Sequence, residues 1–322
     1  MDAQREINRL KRRIFWECGL GVYIDDLGKV HSTDAKRNQS FSGFREIKEV
    51  WRIGGIFRTH LIFKDKDNRI FMDDKTANYK PMRKILADGA ALREFEQEDQ
   101  YFEMGSAIYT ISTEGKVRRW GGEPSDIDNW SNVESIAYHV DVGCVGITRD
   151  HRLLLSKPVV CLLNSAGGDE LRKMLQAEHH VIGCAVYYHK YVVQGCIGNR
   201  PHSWFLALLF EDGTVKEMEI YDDSYASDRE WYYREHFENQ NSIQIQYWRG
   251  IDDLFRLVAL SDNGEFKLDI TSSQRICHEN CIAMILNDYI TDPVFVKRDG
   301  SIISMRGFGK DIKGWTLSGE NF

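Results

Sequence analysis

Seven segments of this chain share one pattern, in which an apolar run leads into a charged turn and a second apolar run follows. In four of them the turn ends in Asp-Gly, Asn-Gly or Glu-Gly, which favours a β-hairpin because glycine readily adopts positive φ. One hairpin constrains little, but a series of hairpins predicts a repeat architecture. The seven turns centre on Gly28, Asn68, Gly115, His151, Gly213, Gly264 and Gly300.

The spacing of the turns predicts the size of each repeat. Successive centres are 40, 47, 36, 62, 51 and 36 residues apart; these average about 45, the length of a four-stranded propeller blade. Further strands are predicted before several hairpins, as at 50–55 and 133–136. We therefore predict an all-β fold: a seven-bladed β-propeller over residues 15–322, forming a single domain, with a short N-terminal helix over 1–14. Six or eight blades stay open as alternatives.

The repeat resembles that of the regulator of chromosome condensation family. The similarity lies in an apolar strand, a glycine, a second apolar strand, Asp-Gly, and a strand ending near Trp120-Gly121 or Arg306-Gly307. Residues 130–136 are similar to that family's lead-in to a blade, and the family's asparagine- and glycine-rich run between blades is missing. The resemblance implies a seven-bladed propeller. One branch of the family exchanges guanine nucleotides on a small GTPase, but no residue here maps to that role.

Both ends of the chain are predicted to contribute to the ring. Ile7, Leu10 and Ile14 recur at helical spacing, with basic residues between them. We interpret this helix as a cap on the edge of the ring, with a docking helix or a disordered tail as alternatives. At the other end, residues 312–317 are predicted to form a strand that completes a terminal blade.

The gap of 62 residues between the fourth and fifth turns predicts an insertion. Residues 169–176 follow Ser-Ala-Gly-Gly at 165–168 and are predicted to form a capped helix. Gly167-Gly168 could cradle a phosphate at the start of that helix. Since no Lys-Ser/Thr pair follows, as it does in a phosphate-binding loop, we interpret the glycine pair as a structural loop.

The stretch 221–240 combines aromatic and charged residues without strand alternation. Tryptophan, tyrosine and arginine are the residues that most often anchor protein interfaces. Two interpretations are open: an inter-blade loop or short helix whose aromatic residues pack on a sheet, or an exposed recognition surface. The candidate partner-binding residues are Tyr221, Tyr225, Trp231, Tyr232, Tyr233 and Arg234.

The sequence offers little for catalysis. Cys277, His278 and Cys281 form the best metal candidate, but a structural zinc site needs four ligands and a second tight cysteine pair is absent from the sequence. Adjacent cysteine and histidine residues rarely reach the geometry of a nucleophilic pair. We therefore expect neither a cofactor, nor a metal, nor a catalytic set.

Charge and cysteine content narrow the functional classes. The net charge of −7 argues against broad nucleic-acid binding, which needs cations on one face. Seven cysteines, an odd number scattered along the chain, indicate free thiols in a reducing cytoplasm. No apolar stretch is long enough to span a membrane, and the first 20 residues lack the apolar centre of a signal peptide. We predict a cytoplasmic protein.

For function, the sequence favours a non-enzymatic protein-interaction module, a subunit or adaptor of a cytoplasmic complex that binds another protein. The first alternative is a guanine-nucleotide exchange factor for a small GTPase, which the family resemblance suggests. The second is a binder of a small ligand or glycan, with tryptophans at the mouth of the ring: Trp120, Trp130, Trp204 and Trp248.

Overall fold

The computed structural model of the chain is mostly β-structure, arranged in small antiparallel sheets. The prediction of a β-rich fold is thereby confirmed. The structure describes residues 3–17, 20–53, 59–190, 202–222, 231–239, 241–249, 255–267, 275–276, 280–286 and 293–304. The predicted strand at 312–317 lies outside these residues.

The first four sheets each have three strands, hydrogen-bonded to one another in chain order. Short, largely apolar segments form them, and the side chains of the middle strands are almost entirely buried. The sheets comprise β1 (Ile14–Glu17), β2 (Leu20–Ile24) and β3 (Val30–Ser32); β4 (Ile47–Arg52), β5 (Leu61–Asp65) and β6 (Ile70–Met72); β7 (Gln100–Met104), β8 (Ala107–Ile111) and β9 (Val117–Trp120); and β10 (Val133–His139), β11 (Gly143–Thr148) and β12 (Leu153–Leu155).

Three further sheets follow, the fifth and sixth with four strands and the seventh with three. The fifth has strands of nine or ten residues, longer than those described in the other sheets. These sheets comprise β13 (Val181–Lys190), β14 (His202–Phe210), β15 (Thr214–Asp222) and β16 (Trp231–Asn239); β17 (Ser242–Arg249), β18 (Phe255–Ser261), β19 (Phe266–Lys267) and β20 (Arg275–Ile276); and β21 (Cys281–Ile285), β22 (Val294–Lys297) and β23 (Ile302–Ser304).

All seven predicted turns are confirmed. Each joins the second and third strands of its sheet, and the φ angles of the seven turn centres lie between 62° and 83°. Five of the seven centres are glycines, and Asn68 and His151 adopt the same left-handed conformation. The hairpin signal was reliable because it depends on residues adjacent in the chain, whose steric limits apply whatever packs around them.

The turns also connect each sheet to the next by backbone hydrogen bonds. In four places the carbonyl oxygen of a turn centre accepts the N–H of the residue that opens the next sheet, and we call this the turn-to-strand link. The residue just before that N–H also has positive φ, between 50° and 64°. The four links are Gly28–Ile47 (3.0 Å), Gly115–Val133 (2.8 Å), His151–Val181 (3.1 Å) and Gly213–Ser242 (3.0 Å).

The link at Gly115 shows why glycine is needed there. Its φ is 79°, and a Cβ at this position would lie 2.7 Å from the backbone nitrogen of Val133. A side chain would therefore clash with the opening residue of the next sheet as well as strain the backbone. Glycine lets the turn and the strand approach closely enough for the hydrogen bond to form.

Helices occur mainly between the sheets. The sequence predicted one helix within the chain and one at its start. Aspartates cap several of them: Asp34, Asp73 and Asp88 accept backbone N–H groups at the starts of α2, α3 and α5. The helices that these aspartates begin are short. The helices are α1 (Ala3–Lys11), α2 (Ala35–Ser40), α3 (Asp74–Ala77), α4 (Lys80–Ala87), α5 (Gly89–Glu96) and α6 (Lys157–Ala177), with a 3₁₀ turn at Asp126–Asn129.

The helix predicted at 169–176 is part of a longer one, so that prediction was wrong in its start. α6 runs from Lys157 through Gly167-Gly168 to Ala177, with Pro158 in its first turn. The glycine pair lies inside the helix, which removes the predicted loop and the helix N-terminus that could have cradled a phosphate there. Packing of the apolar face of α6 outweighs the helix-weakening effect of two glycines.

By its contacts the chain divides into two compact units. One comprises Met1–Thr113, Arg118–Glu123 and Trp248–Phe322, and the other comprises Glu114–Val117 and Pro124–Tyr247. Within the first unit, α1 lies against β21 and buries Ile7 and Leu10, while Ile14, predicted to be helical, opens β1. No helix in the described part of the chain has the length and apolarity to cross a membrane.

We expect the alanine variant Gly115→Ala to lower the free energy of unfolding by at least about 2 kcal/mol, because it adds left-handed strain and a backbone clash. Gly105→Ala separates the two effects, since its φ is 63° but its Cβ would meet nothing within 4 Å. It should cost about 1 kcal/mol. Gly43→Ala, with open space and no positive φ, should change stability by less than about 0.5 kcal/mol. Urea denaturation measures all three, and equal losses in the three variants would contradict the role of close approach.

Candidate functional site

The predicted partner-binding residues fall on the last two strands of the fifth sheet. Tyr221 lies in β15, Trp231, Tyr232, Tyr233 and Arg234 begin β16, and Tyr225 lies outside the described residues. The expectation of a loop or short helix over this stretch was wrong for 231–239, because the backbone pairs with β15 along the whole strand. Aromatic residues favour strands, and pairing with β15 overrode the irregular pattern of charges.

The strand register divides the candidate residues between the two faces of the sheet. Tyr233 lies opposite Ile220, whereas Tyr232 lies opposite Tyr221 and Arg234 opposite Glu219. Directly paired residues share a face, and successive residues alternate. Trp231 and Tyr233 therefore occupy positions on one face, and Tyr221, Tyr232 and Arg234 occupy positions on the other. β16 is the last strand of its sheet, and no further strand pairs with it within the described residues.

One face of the fifth sheet is covered by α6. Trp204, Leu206 and Leu208 on β14 are fully buried, as are Met218 and Ile220 on β15. They form a single apolar cluster with residues of α6 and the fourth sheet: Val159, Leu163, Leu171, Leu175, Val145 and Ile147. The buried ammonium of Lys216 pairs with Glu178, just after the end of α6. This face anchors the sheet, and the positions of Trp231 and Tyr233 belong to its outer margin.

The opposite face carries an aromatic and acidic row. The ring of Tyr247, from β17, lies 5.8 Å from that of Tyr187 and 6.0 Å from that of Phe205. Its hydroxyl donates a 2.8 Å hydrogen bond to Glu217, and Ser203 donates one of 2.9 Å to Glu219. Burial, together with Glu217, raises the pKa of Tyr247 well above its usual 10. Tyr232 and Arg234 continue this face outward at register positions beside Tyr221 and Glu219.

Charged side chains of the first unit are held in a separate cluster. The guanidinium of Arg12 contacts both carboxylate oxygens of Asp99 at 3.2 and 3.1 Å, lies 3.5 Å from Glu49, and lies over the ring of Trp51. Lys64 is buried, and its ammonium donates to the carbonyl oxygen of Glu98. Burial lowers the pKa of Lys64. These groups join the openings of β1 and β7 to β4 and β5, which is a structural use of charge.

A second polar group lies at the other ends of β4 and β7. The hydroxyl of Tyr79 donates to Glu103, the ring of His60 stacks on Tyr79 at 4.6 Å, and Glu17 pairs with Arg52 at 2.8 Å. Burial raises the pKa of Glu103. Each of these carboxylates has a donor, so the group orders the ends of neighbouring strands.

The described residues contain no cluster of three or more side chains suited to holding a metal ion. Cys277 and His278 of the predicted metal candidate lie outside the described part of the chain. Burial raises the pKa of Cys281 to about 11, which disfavours the thiolate that a nucleophile or a metal ligand requires.

Two of the four tryptophans predicted to line a ligand-binding mouth are buried. Trp204 is 0% exposed and Trp248 is 1% exposed, so neither offers a face for stacking. The ring of Trp120 meets Phe95 edge-on, and its Nε1 donates to Thr110. Trp130 packs over Gly146, where a Cβ would lie 2.7 Å from its ring.

No protein-family model matches this chain, and no curated protein matches its sequence significantly. The resemblance to the regulator of chromosome condensation family therefore stays a prediction.

We expect Tyr247→Phe to lower the free energy of unfolding by about 1–2 kcal/mol at neutral pH, because the buried hydrogen bond to Glu217 is lost. Above about pH 10 the tyrosine ionises in the unfolded chain but stays protonated in the folded protein. The wild-type protein should therefore lose stability as the pH rises through this range, and Tyr247→Phe should lose less. Urea denaturation between pH 8 and 11 measures both effects, and parallel curves for the two proteins would contradict the assignment.

Proposed function

We propose that this protein is a non-enzymatic protein-interaction module, a subunit or adaptor of a cytoplasmic complex. In this proposal its sheets close into a seven-bladed β-propeller, and a partner segment binds along β16. The observation that carries the proposal is the register of β16, the last strand of the fifth sheet, which places aromatic residues at positions on both faces and an arginine on one of them.

The packing of the first unit supports closure of the ring. α1 and β1, at the start of the chain, lie against β21 of the last described sheet. A repeat protein whose first and last repeats meet leaves no exposed sheet face at either end. Four turn-to-strand links connect a sheet to the next through the same backbone hydrogen bond, and this recurring connection favours a ring of equivalent blades.

The alternation along β16 favours one mode of binding over others. A partner that docked on one face of the sheet would meet either Trp231 and Tyr233 or Tyr232 and Arg234. A partner segment that adds as a fifth strand would meet all four, because side chains from both faces flank an edge strand. Aromatic and arginine anchors supply most of the binding energy in such interfaces. A rigid sheet adds little ordering cost on the side of this protein.

Identification of the partner comes first. The tagged full-length chain is used to capture proteins from its native source, and mass spectrometry identifies those that co-purify. The smallest binding segment is then synthesised, and its affinity is measured by calorimetry. If the segment adds as a strand, N-methylation of alternate amides should abolish binding in one register and spare it in the other, since only half of the N–H groups face β16.

Two pairs of substitutions test the site. We expect Trp231→Ala/Tyr233→Ala and Tyr232→Ala/Arg234→Ala each to weaken binding of the segment at least tenfold, because an added strand uses both faces. Leu27→Ala, at an exposed turn, is the matched control and should bind normally. Circular dichroism melting checks the fold, and Trp231→Phe/Tyr233→Phe preserves apolar area if the alanine pair unfolds.

If only one of the two double variants binds the segment more weakly, the segment docks on a single face of the sheet and does not add as a strand. Normal binding in both folded pairs would exclude β16 as the site. Accelerated nucleotide release from a captured GTPase would overturn the non-enzymatic role.

A further inference from the structure

A positively charged helical surface lies on the insert between the second and third sheets. α3, α4 and α5 form this insert, and α4 is held by an apolar face: Met82 and Ile85 are buried in one cluster with Phe95, Ile62 and Ile108. This packing fixes which side of α4 is turned away from the core.

The outward side of α4 carries three cations. Lys80, Arg83 and Lys84 are all exposed, and their spacing of three and four residues places them on one side of the helix. Lys75 on α3 and Arg93 on α5 are also exposed. Ala87, one turn further along α4, continues the same side without a charge.

Four acidic residues of the insert make contacts of their own, and Asp74 is exposed at the start of α3. Asp73 accepts the backbone N–H of Thr76 at 2.8 Å, and Asp88 accepts that of Ala90 at 2.9 Å. Glu94 lies 3.9 Å from Arg118, and Glu96 accepts the backbone N–H of Ile70. Within the described residues, no ion pair joins Lys75, Lys80, Arg83, Lys84 or Arg93 to a carboxylate.

Several other cations of the same unit have carboxylate partners, whereas the exposed Lys29 and Lys36 have no ion pair among the described residues. Arg12, Arg13, Arg52, Arg69 and Arg118 each pair with a carboxylate. Like charges three and four residues apart repel one another on a helix. A cluster of uncompensated cations on a chain of net charge −7 is therefore a local feature that an anionic partner would stabilise.

We propose that the outward side of α4 binds an acidic segment of a partner protein. Its three cations lie within five residues of helix, and the rise of about 6 Å from Lys80 to Lys84 matches a few neighbouring carboxylates. Nucleic acids bind through longer rows of phosphate contacts. A membrane-binding helix needs a broad apolar face, whereas the exposed large apolar residue on α4 is Leu86, at 38%.

The test uses a fluorescein-labelled oligoglutamate peptide and its glutamine counterpart, with fluorescence anisotropy as the readout. The full-length protein should bind the glutamate peptide, should bind it more weakly at about 200 mM than at about 50 mM salt, and should not bind the glutamine peptide. Lys80→Glu/Arg83→Glu/Lys84→Glu should weaken binding at least tenfold. Glutamate at position 80 suits the helix dipole, but Lys84 lies in the last turn of α4, so circular dichroism melting checks that the variant folds. If it unfolds, Lys80→Gln/Arg83→Gln/Lys84→Gln replaces it and should also weaken binding.

The matched control is Lys29→Glu/Lys36→Glu/Arg298→Glu, which alters the net charge by the same amount at exposed positions outside the insert. It should bind within about twofold of the wild type. If both variants bind the peptide equally weakly, the effect depends on net charge alone, and the proposal is overturned.

Absence of binding by the wild type would also overturn it, as would tighter binding to phosphatidylserine–phosphatidylcholine vesicles or to duplex RNA than to the peptide. The site does not depend on β16. Trp231→Ala/Tyr233→Ala should bind oligoglutamate normally, so failure of one proposal is distinguishable from failure of the other.

Discussion

The turn-to-strand link is the interaction on which the repeat depends. A short carbonyl-to-amide bond fixes the turn of one sheet to the opening residue of the next, as at Gly115 and Val133. The residue before that opening is itself left-handed, and its carbonyl oxygen accepts the N–H of a residue in the following turn: Asn132 from Arg149 and His180 from Glu211. One turn thus positions a strand, and that strand's sheet provides the next turn.

The link explains where the chain can vary. The segment between a turn and the next opening strand is bounded at both ends by backbone bonds, so its interior is free to differ. Such a segment holds α2 after the first sheet and α6 after the fourth, whereas α3 to α5 follow the second sheet, whose turn forms no such link among the described residues. Both candidate interaction surfaces are related to such additions: α4 carries exposed cations, and α6 covers the face of the fifth sheet that bears Met218 and Ile220.

The charges of the protein serve two different purposes. Arg12, Glu49 and Asp99 are arranged so that each cation meets an anion, which stabilises neighbouring strands at low desolvation cost. The cations of α4 have no ion pair within the described residues, although Asp73 and Asp88 nearby accept backbone N–H groups and Glu94 lies near Arg118. The same residue types occur in both groups, so the sequence alone does not distinguish them. Whether a cation is paired depends on distances between elements that are remote in the chain.

Local chemistry therefore determined the turns, and with them the number of sheets. Positive φ at Gly28 or Gly213 follows from residues adjacent in the chain, and hairpin strands follow from the apolar runs on either side.

The strand at 231–239 could not be read in this way, because its identity comes from pairing with β15 rather than from its own pattern. The same holds for α6, whose glycine pair is held helical by contacts with the fourth and fifth sheets. Only the tertiary structure decided that the aromatic residues alternate between two faces and that the cations of α4 share one side. Register and packing are set by partners distant in sequence, and their free energies exceed the weak local preferences of single residues.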